Sequence, residues 1–252
     1  MSSPLDFDTV RVRWLATDAR SQNDLPRWRA MLDEAELERA GRFRFAADRE
    51  IFTAAHALMP AMLSEATGLP TASWRYVKHE LGKPALAPDC AACGLRFNIS
   101  HTRGVAVCTL AHDEIGVDVE ASDRRVDFAI ADRYFAPEEV QVLRSAPPER
   151  TAILFFRFWT LKEAFIKATG EGLQRPLDSF SFALDPVRIT FHPQREGTPR
   201  RDDPAAWPFF ECCAAPTRPI ALAVKRPSSQ PLRLDARAAI FVIGLEHGRF
   251  EL

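Results

Sequence analysis

The chain has 252 residues, 46% of them hydrophobic and 27% charged, with a formal net charge of −1. This balance excludes a disordered chain and a global field that would draw it to nucleic acid or an anionic membrane, so an anionic ligand must be met by a local basic cluster. The opening MSSPLDFDTVRVRW lacks an apolar signal core, and no run reaches the ~18 apolar residues of a membrane span. A cytoplasmic protein that engages neither membrane nor nucleic acid is expected.

In chain order, residues 10–16 alternate as a strand and 25–45 read as helical. Residues 46–67 carry a stronger helical pattern stopped by Gly68 and Pro70, with Pro60 inside it as an expected kink or boundary. Residues 74–79 alternate and Gly82-Lys83-Pro84 is a turn; short strands are expected over 95–100, 104–111 and 115–120. An Asp- and Arg-rich loop, 121–127, leads to a helical region at 128–145 and a long apolar helix at 149–169. Strands follow near 179–184, 187–192, 207–213 and 219–225, with a polar loop at 193–206 and a last strand-like run at 239–244. The repeated helices-then-strands order points to two similar α+β lobes, 1–119 and 120–252, related by a pseudo-twofold axis.

Cys90 and Cys93 form a CxxC among five cysteines, but the pair Cys212–Cys213 has the wrong spacing to complete a zinc site. The cysteines therefore read as free thiols.

Four segments carry chemistry. In Ile115-Gly116-Val117-Asp118-Val119-Glu120, a period of two puts both carboxylates on one face and the branched apolar residues on the other. Adjacent carboxylates repel unless water or a cation serves both, and a solvated strand end fits this segment as well as a metal site does. Gly116, on the carboxylate face, is expected to leave room for a ligand. In Phe158-Trp159-Thr160-Leu161-Lys162-Glu163-Ala164-Phe165-Ile166-Lys167, Glu163 and Lys167 share a face of a helix that is otherwise apolar on nearly every side. A charged pair on such a helix needs a specific partner, and a metal with its phosphate would supply one. In Phe97-Asn98-Ile99-Ser100-His101-Thr102, Asn98 and Ser100 face away from Phe97 and Ile99, and His101 is expected at the turn that follows, free to donate to a phosphate. Lys83 stands on the rigid Gly-Lys-Pro turn. Together these are hard oxygen ligands and phosphate donors, a set suited to Mg²⁺, with Mn²⁺ as an alternative, shared with a diphosphate. Glycine-rich phosphate loops of the P-loop and dinucleotide kinds are absent from the sequence.

The order GKP, FNISHT, IGVDVE, FWTLKEAFIKATGEGL and PLDSFSFAL, spread over roughly residues 40–225, resembles the surfactin-type 4′-phosphopantetheinyl transferases. The resemblance implies a monomer of two α+β lobes with coenzyme A in the cleft between them. It implies that Asp118, Glu120 and Glu163 ligate magnesium, that Lys167 and His101 meet the diphosphate, and that Ser100 and Lys83 contact the 3′-phosphate region. Catalysis then falls to Glu163, Lys167 and Asp118, with Glu163 taking the carrier serine's proton directly or through a water. The reaction moves 4′-phosphopantetheine from coenzyme A to a serine of an acyl, peptidyl or aryl carrier protein and releases adenosine 3′,5′-bisphosphate. One departure stands out: the family's basic residue before the Asp of segment 42–50 is replaced here by Ala46 and Ala47, which leaves Arg42, Arg44 or Arg49 to hold the 3′-phosphate. Arg124, Arg125 and Arg133 are the expected contacts to an acidic carrier. A coenzyme A-binding protein without transfer and a metal-dependent phosphohydrolase remain the alternatives.

Overall fold

The computed structural model describes residues 4–17, 21–78, 82–193, 202–226 and 230–239. The first half opens with β1 (Thr9–Ala16), then α1 (Ser21–Arg29), α2 (Glu34–Gly41) and α3 (Ala46–Thr67). A small hairpin, β2 (Tyr76–Lys78) and β3 (Pro84–Leu86), precedes β4 (Arg96–Thr102), β5 (Val105–Ala111) and β6 (Glu114–Val119). The second half contains α4 (Ala129–Tyr134), α5 (Pro137–Ser145), α6 (Pro148–Thr169), the hairpin β7 (Phe180–Leu184) and β8 (Val187–Phe191), then β9 (Phe209–Ala215), β10 (Arg218–Lys225) and β11 (Arg233–Ala238).

The single helical stretch expected over 25–45 is two helices. Asp33 breaks it by capping α2: its side chain accepts from Glu36 N, and Glu36 accepts in return from Asp33 N. Likewise Pro137 starts α5 separately from α4, dividing 128–145. Pro60 does not bound α3; the helix runs 22 residues through it, with buried residues on both flanks. Both α3 and α6 are 22 residues long, and both stop at a glycine in the left-handed region, Gly68 and Gly170.

Two sheets lie between these helices. One has the order β11-β1-β5-β4 and the other β6-β10-β9. Strand alternation sorts three cores. Ala106, Cys108 and Leu110 of β5 join Phe97 of β4 beneath α3. Val105 and Val107 of β5 and Val10 and Val12 of β1 meet Ile115, Val117 and Val119 of β6 and Ile220, Leu222 and Val224 of β10 between the sheets. Ala221 and Ala223, on the far face of β10, pack under α6 with Phe158, Leu161 and Phe165. The molecule is thus an α+β stack of helix, sheet, sheet and helix. β6 hydrogen-bonds into the second sheet through β10, and the late strand β11 runs parallel to β1 in the first. β11 ends at Ala238, and the strand expected at 239–244 lies from residue 240 onward outside the described residues.

Candidate active site

The site forms where β4, β6 and α6 meet. The free edge of β6 lies against β4, and Asn98 closes it by accepting a hydrogen bond from Val117 N at 2.9 Å. The same alternation aims Ser100 at β6, where its hydroxyl donates to Asp118 Oδ1 at 3.0 Å. From α6, Lys167 Nζ donates to Ser100 Oγ at 2.9 Å and pairs with Asp118 Oδ1 at 2.6 Å. Asp118 is only 4% exposed, and its other oxygen, Oδ2, is buried without a hydrogen-bond partner.

Gly116 brings these elements together in a way the sequence reading did not anticipate. It does not leave room for a ligand. A Cβ there would overlap the Ala164 carbonyl and the Ala168 amide of α6, so the space is already filled by helix backbone. This close approach is what sets Glu163 and Lys167 beside Asp118.

Glu163 and Glu120 share the field of Asp118. Burial, then the charge of Asp118, pushes the Glu163 carboxyl up to about 7, with Lys167 pulling the other way. Burial and Asp118 also raise Glu120, against the pull of Arg124, whose guanidinium sits 2.7 Å from Glu120 Oε2. Among the described residues, no three Asp, Glu, His or Cys side chains converge closely enough to hold an ion as they stand. The donor set nevertheless fits a hard divalent cation: an orphaned buried carboxylate oxygen, flanked by two acids whose ionisation is opposed by like charge, is relieved by positive charge.

The remaining candidates are placed as follows. His101 lies within β4, paired with Ala106, rather than in a following turn, because the strand runs on to Thr102. Alternation puts its ring on the α3 side of β4, opposite Ser100. The protein around it, then the charges of Lys167 and His56, hold its pKa below the ordinary histidine value. Lys83 reaches across the halves, donating to Ile115 O and Ala168 O at 3.3 Å each, with Glu114 at 3.5 Å. Burial lowers its pKa. It lines a cavity of about 330 Å³ with Asn98, Glu163, Lys167 and Gly170. Arg42 is an exposed helix-end residue paired with Glu38 at 2.6 Å, whereas Arg49 has a buried Nε without a partner. Sequence reasoning missed Lys162, wholly buried and bonded to Glu139, Leu177 O and Phe180 O at 2.7–2.8 Å. The signal was present, since a lysine on a helix apolar on nearly every side must find an internal acid. It also missed Arg39 and His56, whose charges act on His101. The five cysteines are free thiols.

Residues 114–223 match the 4′-phosphopantetheinyl transferase superfamily, and residues 18–113 match the N-terminal region of 4′-phosphopantetheinyl transferases. The chain is 38% identical over 160 residues to 4′-phosphopantetheinyl transferase HetI of Nostoc, covering 63% of this chain and 67% of that one. It is 33% identical over 164 residues to 4′-phosphopantetheinyl transferase ffp of Bacillus subtilis, covering 65% and 71%. Similarity to 4′-phosphopantetheinyl transferase Sfp of the same organism is 30% over 164 residues, with the same coverage. These matches take in both halves and the strand-helix junction that holds Asp118 and Lys167, and on them the chain belongs to the 4′-phosphopantetheinyl transferases, enzymes that load carrier proteins with the phosphopantetheine arm of coenzyme A.

Proposed function

We propose that the junction of β4, β6 and α6 is the transfer site and that it works with Mg²⁺, or Mn²⁺ in its place. The observation that carries this reading is Asp118, with one oxygen held by Lys167 and the other buried and unpartnered. Asp118, Glu120 and Glu163 would hold the cation, which when bound neutralises the diphosphate of coenzyme A as a Lewis acid.

This chain's own groups supply the rest. Lys167 and His101 meet the diphosphate and the charge that develops on it as the bond to adenosine 3′,5′-bisphosphate breaks. Glu163, directly or through a water, accepts the proton of the carrier serine. The serine oxygen forms a new bond to the phosphorus that carries pantetheine, while the bond to the second phosphate opens. Lys83 and Arg49 are the basic side chains assigned to the 3′-phosphate. The unpartnered Arg49 Nε favours it over Arg42, which Glu38 already occupies. Arg125 and Arg133 receive an acidic carrier, with Arg124 shared between the carrier and Glu120. The enzyme acts as a cytoplasmic monomer; among the described residues, no helix is long and apolar enough to cross a membrane.

Intact-mass measurement on an apo carrier protein, with coenzyme A and Mg²⁺ supplied, tests the reading. A gain of about 340 Da, one phosphopantetheine, is expected. Release of phosphopantetheine to water without a carrier, or no reaction when Mg²⁺ is present, would contradict it. A panel of acyl, peptidyl and aryl carriers run in the same assay identifies the preferred partner.

A further inference from the structure

We infer that Cys90 and Cys93 are a modification site, a dithiol that closes reversibly to an intrachain disulfide by exchange with a small-molecule disulfide of the glutathione kind. Neither thiol is among the groups assigned to transfer. The two cysteines stand at the ends of one 3₁₀ turn between β3 and β4. Cys90 caps the turn in the right-handed helical region, residues 91–93 form it, and Gly94 leaves it at a φ of +70°. The Cys93 amide donates to the Cys90 carbonyl at 3.5 Å, so the turn closes over this pair. In such a turn, side chains three apart eclipse, and a rise of about 2 Å per residue sets their α-carbons about 6 Å apart. A disulfide spans roughly 4.4–6.8 Å between α-carbons, so the backbone already holds the spacing that the bond needs.

Accessibility separates this pair from the other three thiols. Cys108 is wholly buried beneath α3, whereas Cys90 and Cys93 are partly exposed at the edge of the same core. Cys212 and Cys213 are neighbours on β9, where alternation turns them to opposite faces. Exchange then runs in two steps. One cysteine thiolate attacks a sulfur of glutathione disulfide, and the first glutathione leaves with the thiol proton. The second cysteine attacks the chain-bound sulfur of that mixed disulfide, and the second glutathione leaves with its proton. Two cysteine thiols are oxidised and one glutathione disulfide is reduced to two glutathiones. Closure costs the hydrogen bond that the Cys90 thiol donates to Ser73 O at 3.4 Å, which ties the turn to the segment after α3. Ala91, inside the ring so formed, lines a cavity of about 340 Å³ with Lys83, Arg96 and Glu114. The modification therefore falls beside the loop that carries Lys83.

The test treats the reduced, folded full chain with excess glutathione disulfide, quenches with an alkylating reagent, and maps the tryptic peptides by mass. In most chains the peptide that carries Cys90 and Cys93 should lack two hydrogens and take up no reagent. Dithiothreitol should restore both alkylation sites, and Cys108 should stay reduced throughout. The Cys93→Ser chain, with no second thiol to displace glutathione, should stop at a glutathione adduct on Cys90. Three results would overturn the inference. One is a parent peptide in which both thiols remain alkylatable. Another is a parent peptide that holds glutathione adducts without closing. The third is oxidation that reaches Cys108 as readily as the pair.

Discussion

One missing methyl group at position 116 governs how near α6 lies to β6. An alanine there would drive its Cβ into backbone atoms of residues 164–168, which cannot swing aside as a side chain could. Gly116→Ala should cost about 3 kcal/mol, since overpacking against backbone has no cheap relaxation. A urea midpoint unchanged from the parent would show that α6 adapts without strain. The expected alternation of Asp118 and Glu120 against Ile115, Val117 and Val119 was legible, and the valine face does form the core between the sheets. What filled the other face was not legible, because strand periodicity says which side a residue takes and nothing about what packs there. His101 shows the same limit from another direction. The length of β4 is set by pairing with β5, a partner the local sequence does not display.

At the scale of elements, α6 carries two faces of charge with different duties. Glu163 and Lys167 look toward Asp118, while Lys162 is buried on the far side, 2.8 Å from a wholly buried Glu139. Burial lowers the pKa of Lys162 and raises that of Glu139, and each offsets part of the other's cost. Glu139 also accepts from Ala136 N and Phe182 N, so the pair ties α6 to α5 and β7. Lys162→Ala leaves Glu139 unpaired in the interior and should destabilise the fold by about 3–5 kcal/mol. A double variant, Lys162→Met with Glu139→Met, should recover much of that loss; a double variant as unstable as the single one would refute the pairing argument. Helix existence was well marked in the sequence, and the ends of α3 and α6 fall where Gly68 and Gly170 stop them. The division of 25–45 was also encoded, in the Asp33–Glu36 capping box, but a charged amphipathic stretch hides such a break from periodicity alone.

For the whole molecule, β11 returns from the second half to close the first sheet. It is fixed by Asp235, which holds the fully buried Arg13 at 2.8 Å and Arg11 at 3.2 Å. Burial would raise the Asp235 carboxyl, but its bonds to Arg13 and Arg237 overcome this and bring it to about 2. A depressed carboxylate stabilises the fold above the ordinary value of ~4 and loses that contribution as pH falls through about 2, a change of roughly 1 kcal/mol after solvent screening. Asp235→Asn should cost about 2–3 kcal/mol at neutral pH by stranding Arg13, and should flatten the stability curve between about pH 4 and 2. Denaturation midpoints measured across that range check it, and parallel curves for parent and variant would count against it. This closure was not legible in the sequence, because RLDARA is charged and reads as a loop, while the apolar run after it drew the strand expectation to 239–244. The α+β character was legible, since the long helices are periodic segments, whereas the meeting of the 115–120 strand with the 149–169 helix was implied only by the resemblance in motif order. The central claim is that Asp118 and Glu163, brought together at that junction, carry the transfer. It is tested most directly by the rate at which Asp118→Ala and Glu163→Ala chains, shown to be folded, load an apo carrier with coenzyme A and Mg²⁺. Each is expected to fall on the order of 100-fold or more below the parent; loading at close to the parent rate would contradict the account.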